Sequence, residues 1–400
     1  MATHRGNGGN NDFANVNNTG SDKYVAKGGY DTVRAGAGDD TVDGGAQFDR
    51  LSYEDAAGSN GATHGATVDL QAATVADPWG GLDVFTNVEM FVGSRFADRF
   101  LGHADDHIPL SAFVGGRGND KFVLSADSNV WVLYSAEQAL GGHGGIVADL
   151  GAVKNKSGSP IRGTVTDAFG NTDETTNIRK IEGTQHDDTF IGSRLNDRFN
   201  GQGGVDSYDG GKGVDMVYFD TSNMFGGSRG IKVDLARTSG QVSNDGFGNT
   251  ETLESIEGIL GTVFADTIKG DSADNIIMGY TGQDKLTGRG GADKFVYGTW
   301  NGMGNEFGDT ITDFVSGTDR FVFDSNLIDG LDGKVRFRNG TSAKSDSGDS
   351  QFYFNAADHT LYLDLDGKGG ETGMAIAVLT GVDALEKADI TIVPDYMAIA

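Results

Sequence analysis

Gly210-Gly211-Lys212-Gly213-Val214-Asp215-Met216-Val217-Tyr218 holds the pattern of the chain in nine residues: glycines for a tight turn, an acid at its exit, and an apolar side chain two places on. Gly115-Gly116-Arg117-Gly118-Asn119-Asp120-Lys121-Phe122-Val123 repeats it. Outward from these segments the register persists even where glycines lapse. Asp22, Asp31, Asp40 and Asp49 stand nine residues apart, each followed two positions later by Tyr24, Val33, Val42 or Leu51. Asp188, Asp197, Asp206 and Asp215 carry Phe190, Phe199, Tyr208 and Val217 in the same way, and Asp266, Asn275, Asp284 and Asp293 carry Ile268, Ile277, Leu286 and Phe295. Asp and Gly are common in any turn, which explains one hit but not consecutive hits in three places. Glycine reaches positive φ without steric cost, and the inward positions favour residues of high β-propensity. Each nonapeptide therefore joins a glycine-bearing turn to an inward-facing strand position.

These segments fit G-G-x-G-x-D-x-U-x, and on them the chain resembles the RTX (repeats-in-toxin) hemolysin-type proteins, whose nonapeptide is a calcium-binding parallel β-helix repeat. The resemblance implies an all-β fold, with parallel β-roll modules in series, β-rich insertions and a β-rich C-terminal domain. It further implies that two nonapeptides make one coil. Turns on one edge then lie eighteen residues apart, and a cation between them sees one carboxylate from each together with backbone carbonyls. The pairs are Asp22 with Asp40, Asp31 with Asp49, Asp188 with Asp206, Asp197 with Asp215, Asp266 with Asp284, and Asn275 with Asp293. Asp98 and Asp120 complete the set of candidate metal ligands. An all-oxygen cage suits a hard cation, and about six to eight ligands suit calcium better than magnesium, with zinc disfavoured. Asp12, one residue off register, is open between ligand and ordinary turn residue.

Composition agrees. The 64 glycines against 4 prolines lack collagen's every-third spacing, so another glycine-requiring backbone is present. With 31 Lys and Arg against 58 Asp and Glu, the formal net charge is −27, which repels nucleic acid and anionic headgroups and attracts cations. The absence of cysteine removes disulfides, thiolate zinc sites and a cysteine nucleophile. The first residues, MATHRGNGGNNDFANVNN, contain no apolar h-region, and no run of about 18 apolar residues occurs, so neither a Sec signal nor a membrane span is visible.

A longer unit recurs around the rolls: an apolar strand (Leu51-Ser52-Tyr53, Trp131-Val132-Leu133-Tyr134, Val217-Tyr218-Phe219), a D-L element (Val68-Asp69-Leu70, Ala148-Asp149-Leu150, Val233-Asp234-Leu235), then a segment containing Asn87-Val88-Glu89, Asn177-Ile178-Arg179 or Ser255-Ile256-Glu257. The expected organisation is a first β-roll over 1–55, an insertion plus a second, irregular roll over 56–135, an insertion plus third roll over 136–220, and an insertion plus fourth roll over 221–297. Segments 167–172 and 245–250 read as projecting loops. The roll opened by Asp98 is irregular, because His107 stands nine residues on, behind Asp105 and Asp106, so weaker or no calcium binding is expected there. His103 and His107 have the spacing of a helical metal pair, but this stretch reads as turn.

Residues 298–400 depart from the repeat. Gly308-Asp309-Thr310-Ile311-Thr312-Asp313-Phe314, Thr360-Leu361-Tyr362-Leu363-Asp364-Leu365-Asp366-Gly367 and Ala377-Val378-Leu379-Thr380-Gly381-Val382 resemble the C-terminal domain that follows the β-roll in serralysin-type secreted proteases. The resemblance implies an uncleaved signal for the type I secretion apparatus. Asp364 and Asp366 look like an EF-hand start, but Lys368 and Ala375 occupy ligand positions, so these acids read as strand and turn residues.

No H-E-x-x-H occurs among the seven histidines, nor a G-x-S-x-G elbow, nor a phosphate loop with G-K-S/T, so no catalytic residues are assigned. The reading is a secreted, extracellular or cell-surface protein of a Gram-negative bacterium, binding several calcium ions and folding on them after type I export. No separate cargo domain is visible, and a structural or adhesive role in a surface layer, biofilm matrix or filament follows, with self-association or a cell-surface polysaccharide as partner. The alternative is an accessory module that stabilises and exports an enzyme or binds a polysaccharide, with Trp79, Trp131 and Trp300 as candidate contacts. A hydrolase hidden in the acidic loops is a third reading.

Overall fold

The structure, a computed structural model, describes residues 2–14, 19–56, 58–102, 111–153, 160–298, 308–328, 330–342, 349–367 and 373–394. These contain strands, mostly of three residues, with short 3-10 helices and no α-helix. The chain forms two compact units, Met1–Gly204 and Val205–Ala400.

In the first unit the nonapeptide strands stack in two parallel rows. Thr3–Arg5, Lys23–Val25 and Thr41–Asp43 form one row and Asp12–Ala14, Thr32–Arg34 and Arg50–Ser52 the other. Tyr24 lies beside Val42 and Val33 beside Leu51, so one coil advances the chain by eighteen residues. The insertions do not break the stack. Thr41–Asp43 continues in parallel onto Leu82–Thr86, which turns antiparallel through Thr74–Ala76 to Thr67–Asp69, and that strand hands the row on to Arg99–Gly102. The same meander recurs at Thr172–Thr176, Arg162–Thr166 and Val147–Val153, between Lys121–Leu124 and Thr189–Ile191.

The second unit repeats the scheme, with Lys232–Asp234, Thr267–Lys269, Lys285–Thr287 and Asp309–Ile311 in one row and Met216–Tyr218, Gly258–Leu260, Ile276–Met278, Lys294–Tyr297 and Arg320–Asp324 in the other. The first row then changes character, because Asp309–Ile311 pairs with Met374–Leu379, which runs antiparallel to Thr360–Asp364 and that strand to Gln351–Asn355. The fold is a parallel β-roll.

The repeat's inward side chains build the core. Tyr24, Val33, Val42, Leu51, Phe190, Phe199, Tyr208, Val217, Ile268, Ile277, Leu286 and Phe295 are each at most 1 % exposed. Each large apolar group so buried contributes roughly 1.5–3 kcal/mol. Phe100 and Phe122, neighbours in one row, stack with centroids 5.0 Å apart.

Candidate metal sites in the turn stacks

In the glycine-bearing turns that lead to Asp40 and Asp120 the backbone bends where the repeat puts its second and fourth residues: Gly36 and Gly38 have φ of 85° and 135°, and Gly116 and Gly118 have 84° and 131°. Lys27, Gln202, Tyr280 and Arg289 hold the second position, and Gln47 the fourth, at positive φ without being glycine, a strain that a fixed turn geometry imposes. The turns place the acids in ladders. In the first unit the Asp22 N–H donates to Asp40 Oδ1 at 2.6 Å, Asp31 to Asp49 at 2.8 Å, and Asp98 to Asp120 at 2.8 Å. In the second, Asp266 donates to Asp284 at 2.7 Å and Asn275 to Asp293 at 2.9 Å. Asp188 and Asp197 are buried in the first unit, and Asp206 and Asp215 in the second.

The insertions extend the ladders with acids that a fixed nine-residue spacing misses. Asp40 donates its N–H to Asp83, Asp49 to Glu89, Asp120 to Asp173, Asp215 to Glu257, Asp284 to Asp309 and Asp293 to Asp319, all at 2.7–3.0 Å. The signal was present in the sequence, since each precedes by two the strand residue that follows it: Phe85, Phe91, Thr175, Ile259, Ile311 and Phe321. Tyr53, Tyr134 and Tyr297 donate their hydroxyls to Asp83, Asp173 and Asp309 at 2.6, 2.9 and 3.1 Å. Asp12 is outside the ladder: Asn11 takes its place, donating its N–H to Asp31, while Asp12 pairs with Arg34 at the surface.

Eight of the fourteen candidates fall into two kinds. Asp98, Asp188 and Asp266 are each held by a Ser94, Thr184 or Thr262 hydroxyl at 2.9–3.1 Å and by the same residue's N–H at 2.6–2.7 Å. Asp31, Asp40, Asp49, Asp120 and Asp284 are at most 2 % exposed, and Oδ2 of each lacks a hydrogen-bond partner. A buried carboxylate oxygen left open is costly unless a cation or proton meets it. Burial pushes Asp40 and Asp49 up to about 6 and Asp188 and Asp266 to about 7. Burial first, then the charges of Asp40 and Asp77, push Asp83 up to about 8. Asp120 and Asp284 are raised by burial and by their facing acids.

The repeat's first glycines shape the surrounding space. A Cβ at Gly93, Gly261 or Gly270 would collide with the turn's own Asp98, Asp266 or Asn275 side-chain oxygen and with the carbonyl of Gly115, Gly279 or Gly288. Side-chain and main-chain oxygens thus crowd a point that only glycine leaves open, a donor set that fits calcium. Among the described residues no three carboxylate or imidazole groups gather into a ready cluster, as expected where carbonyls supply much of the shell.

One row lacks acids over part of its length. Ser111, Val130 and Arg179 precede the strands that follow Met90–Val92, and the Arg179 guanidinium is lowered by burial and by Arg198. The segments expected as loops, 167–172 and 245–250, are turns whose leading Asp167 and Asp245 are at most 2 % exposed while Gly170, Thr172, Gly248 and Thr250 are exposed, and the Thr172 N–H donates to Asn119 Oδ1 at 3.1 Å. Trp79 and Trp131 are half-buried. His103, Asp105, Asp106, His107, Trp300 and Lys368 lie outside the described residues. No described helix is long and apolar enough to cross a membrane.

Stacked acids, glycine-cleared turns and coils of eighteen residues define a calcium-binding β-roll. The chain belongs to the peptidase M10 serralysin C-terminal family, which matches residues 54–392, and the RTX calcium-binding nonapeptide repeat, in four copies, matches residues 16–51. The family match therefore reaches well beyond the last hundred residues, through the rolls and insertions. No curated protein matches the chain. Both matched families are typical of secreted proteins of Gram-negative bacteria, and neither match is to the catalytic part of serralysin.

Proposed function

We propose that this is a type I secretion substrate that folds around calcium outside the cell and serves there as a structural or adhesive protein, not as an enzyme. The observation carrying it is the set of buried, unpartnered oxygens on Asp31, Asp40, Asp49, Asp120 and Asp284. In a cytosol poor in calcium those charges, within a chain of net charge −27, hold the polypeptide expanded for export. Outside, calcium near millimolar meets sites of the weak extracellular class, and binding energy becomes folding energy. Fourteen residues are assigned as metal ligands, Asp22, Asp31, Asp40, Asp49, Asp98, Asp120, Asp188, Asp197, Asp206, Asp215, Asp266, Asn275, Asp284 and Asp293, with Asp98, Asp188 and Asp266 the weakest because hydroxyls already serve them.

The second reading, a polysaccharide-binding accessory module, is favoured by a groove of about 210 Å³ in the first unit, lined by Glu54, Asp55, Ser94, Arg95, Arg117, Ala139 and Leu140. The Arg117 guanidinium lies 4.4 Å over the Phe169 ring beside it. Sedimentation velocity at high protein concentration in millimolar calcium separates the two. Large or regular assemblies support the structural role, and a compact monomer at every concentration overturns it in favour of the module.

A further inference from the structure

Three hairpin tips share one plan: Asp77-Pro78-Trp79-Gly80-Gly81-Leu82-Asp83, Asp167-Ala168-Phe169-Gly170-Asn171-Thr172-Asp173 and Asp245-Gly246-Phe247-Gly248-Asn249-Thr250-Glu251. The leading Asp is at most 2 % exposed in each. Its Oδ1 caps the tip, accepting N–H bonds from Trp79, Gly80 and Gly81 in the first, from Phe169 and Asn171 in the second, and from Phe247, Gly248 and Asn249 in the third, all at 2.6–3.0 Å.

The tips differ in what meets the other oxygen. Asn171 and Asn249 each donate Nδ2 to Oδ2 of the leading Asp at 2.9 Å. Gly81 occupies that position in the first tip and has no side chain to offer. Asp77 Oδ2 accepts only a long bond, 3.3 Å, from the Gly38 N–H, at the weak end of such contacts. A Cβ at Gly81 would collide with the Gly38 carbonyl oxygen and with Asp77 Oδ2. The same pairing of a side-chain oxygen with a neighbouring turn's carbonyl surrounds Gly93, Gly261 and Gly270 in the nonapeptides. On the adjoining turn stands Asp40, 1 % exposed, with Oδ2 unpartnered and the charge of Asp77 acting on it. Asp83 is already occupied, by the Asp40 N–H at 2.8 Å and the Tyr53 hydroxyl at 2.6 Å.

We propose that the first hairpin tip closes a calcium site, with Asp77 Oδ2, Asp40 Oδ2 and the Gly38 carbonyl as ligands, where its two sister tips substitute an asparagine amide for the ion. The site rests on the calcium-binding reading above and adds Asp77, which lies outside the repeat register. Two carboxylates and a carbonyl at irregular angles suit calcium, which accepts flexible geometry, over magnesium, which demands an octahedron.

Counting ions per full-length chain by native mass spectrometry at fixed free calcium tests it. Asp77→Asn keeps the Oδ1 cap and removes the charge, and the expected result is one calcium fewer than wild type, with an unchanged circular dichroism spectrum. An unchanged count overturns the site, whereas a wild-type chain that binds no calcium overturns the reading beneath it. Terbium provides a second measurement that leaves every ligand in place. The Trp79 backbone N–H donates to Asp77 Oδ1 at 2.7 Å and its indole N–H donates to the Asn60 carbonyl at 3.0 Å, so the ring belongs to the same tip as the proposed ion and lies within range of energy transfer to it. Trp79→Phe, which installs the residue of the sister tips, is expected to remove that tryptophan's share of sensitised terbium emission while the terbium count stays the same. Emission unaffected by this substitution overturns the site.

Discussion

Acidifying the calcium-free chain should fold it. In the folded state burial raises Asp188 to about 7 and Asp83 to about 8, from 3.8. Such groups hold protons in the folded state that the unfolded chain has already lost, so the stability they confer is complete below about pH 4 and disappears as pH rises through 7 to 8. Ionising one of them at neutral pH costs on the order of 4 kcal/mol. Asp83 and Asp188 together, both in the first unit, cost on the order of 8 kcal/mol, comparable to a domain's entire stability of ~5–15 kcal/mol. Without a cation the neutral chain is therefore expanded, and lowering the pH to about 5 should restore strand signal and compactness as the folded-state carboxyls take up protons. Far-UV circular dichroism and sedimentation velocity in calcium-stripped buffer follow the transition, and adding calcium at neutral pH should produce the same compact form. A calcium-free chain that stays compact at neutral pH, or is no more compact at pH about 5, would refute the reasoning.

Other substitutions probe other parts of the stack. Gly279→Ala drives a methyl against the open Asp284 Oδ2 and should raise the calcium midpoint for folding roughly tenfold, about 1.4 kcal/mol; an unshifted midpoint removes the glycine cradle from the account. Phe199→Ala empties a position that is 0 % exposed and should cost about 3–5 kcal/mol in urea unfolding with calcium present. Tyr134→Phe deletes the buried hydroxyl donor to Asp173 and should cost about 1–3 kcal/mol in the same assay. Deleting residues 298–400 should retain the protein inside cells that carry a type I apparatus, and undiminished export would move the signal elsewhere.

Much of the fold was legible because the roll is made of local repeats. Asp22 to Leu51 states the register, and the side chains it points inward are the ones buried. The ladder was less legible, because its hydrogen bonds join residues across insertions of unequal length. Asp83 follows Asp40 by 43 residues and Asp173 follows Asp120 by 53, so a nine-residue ruler passes over both. What distinguishes Asp98 from Asp120 was also hidden, since it depends on Ser94 folding back onto one acid while the other keeps an open oxygen. At the hairpin tips glycine and asparagine signal the turn, whereas the role of the leading aspartate as its buried cap is seen only in the folded tip.

The central claim is that calcium, held by the stacked acids, folds this chain. A calcium titration of the purified protein at neutral pH, read by far-UV circular dichroism with ions counted in parallel, tests it most directly. A cooperative gain of strand signal at about 10⁻⁴–10⁻³ M free calcium, with several ions bound per chain, is the predicted result. Strand signal already complete in chelator, or calcium bound without any change in structure, would contradict it.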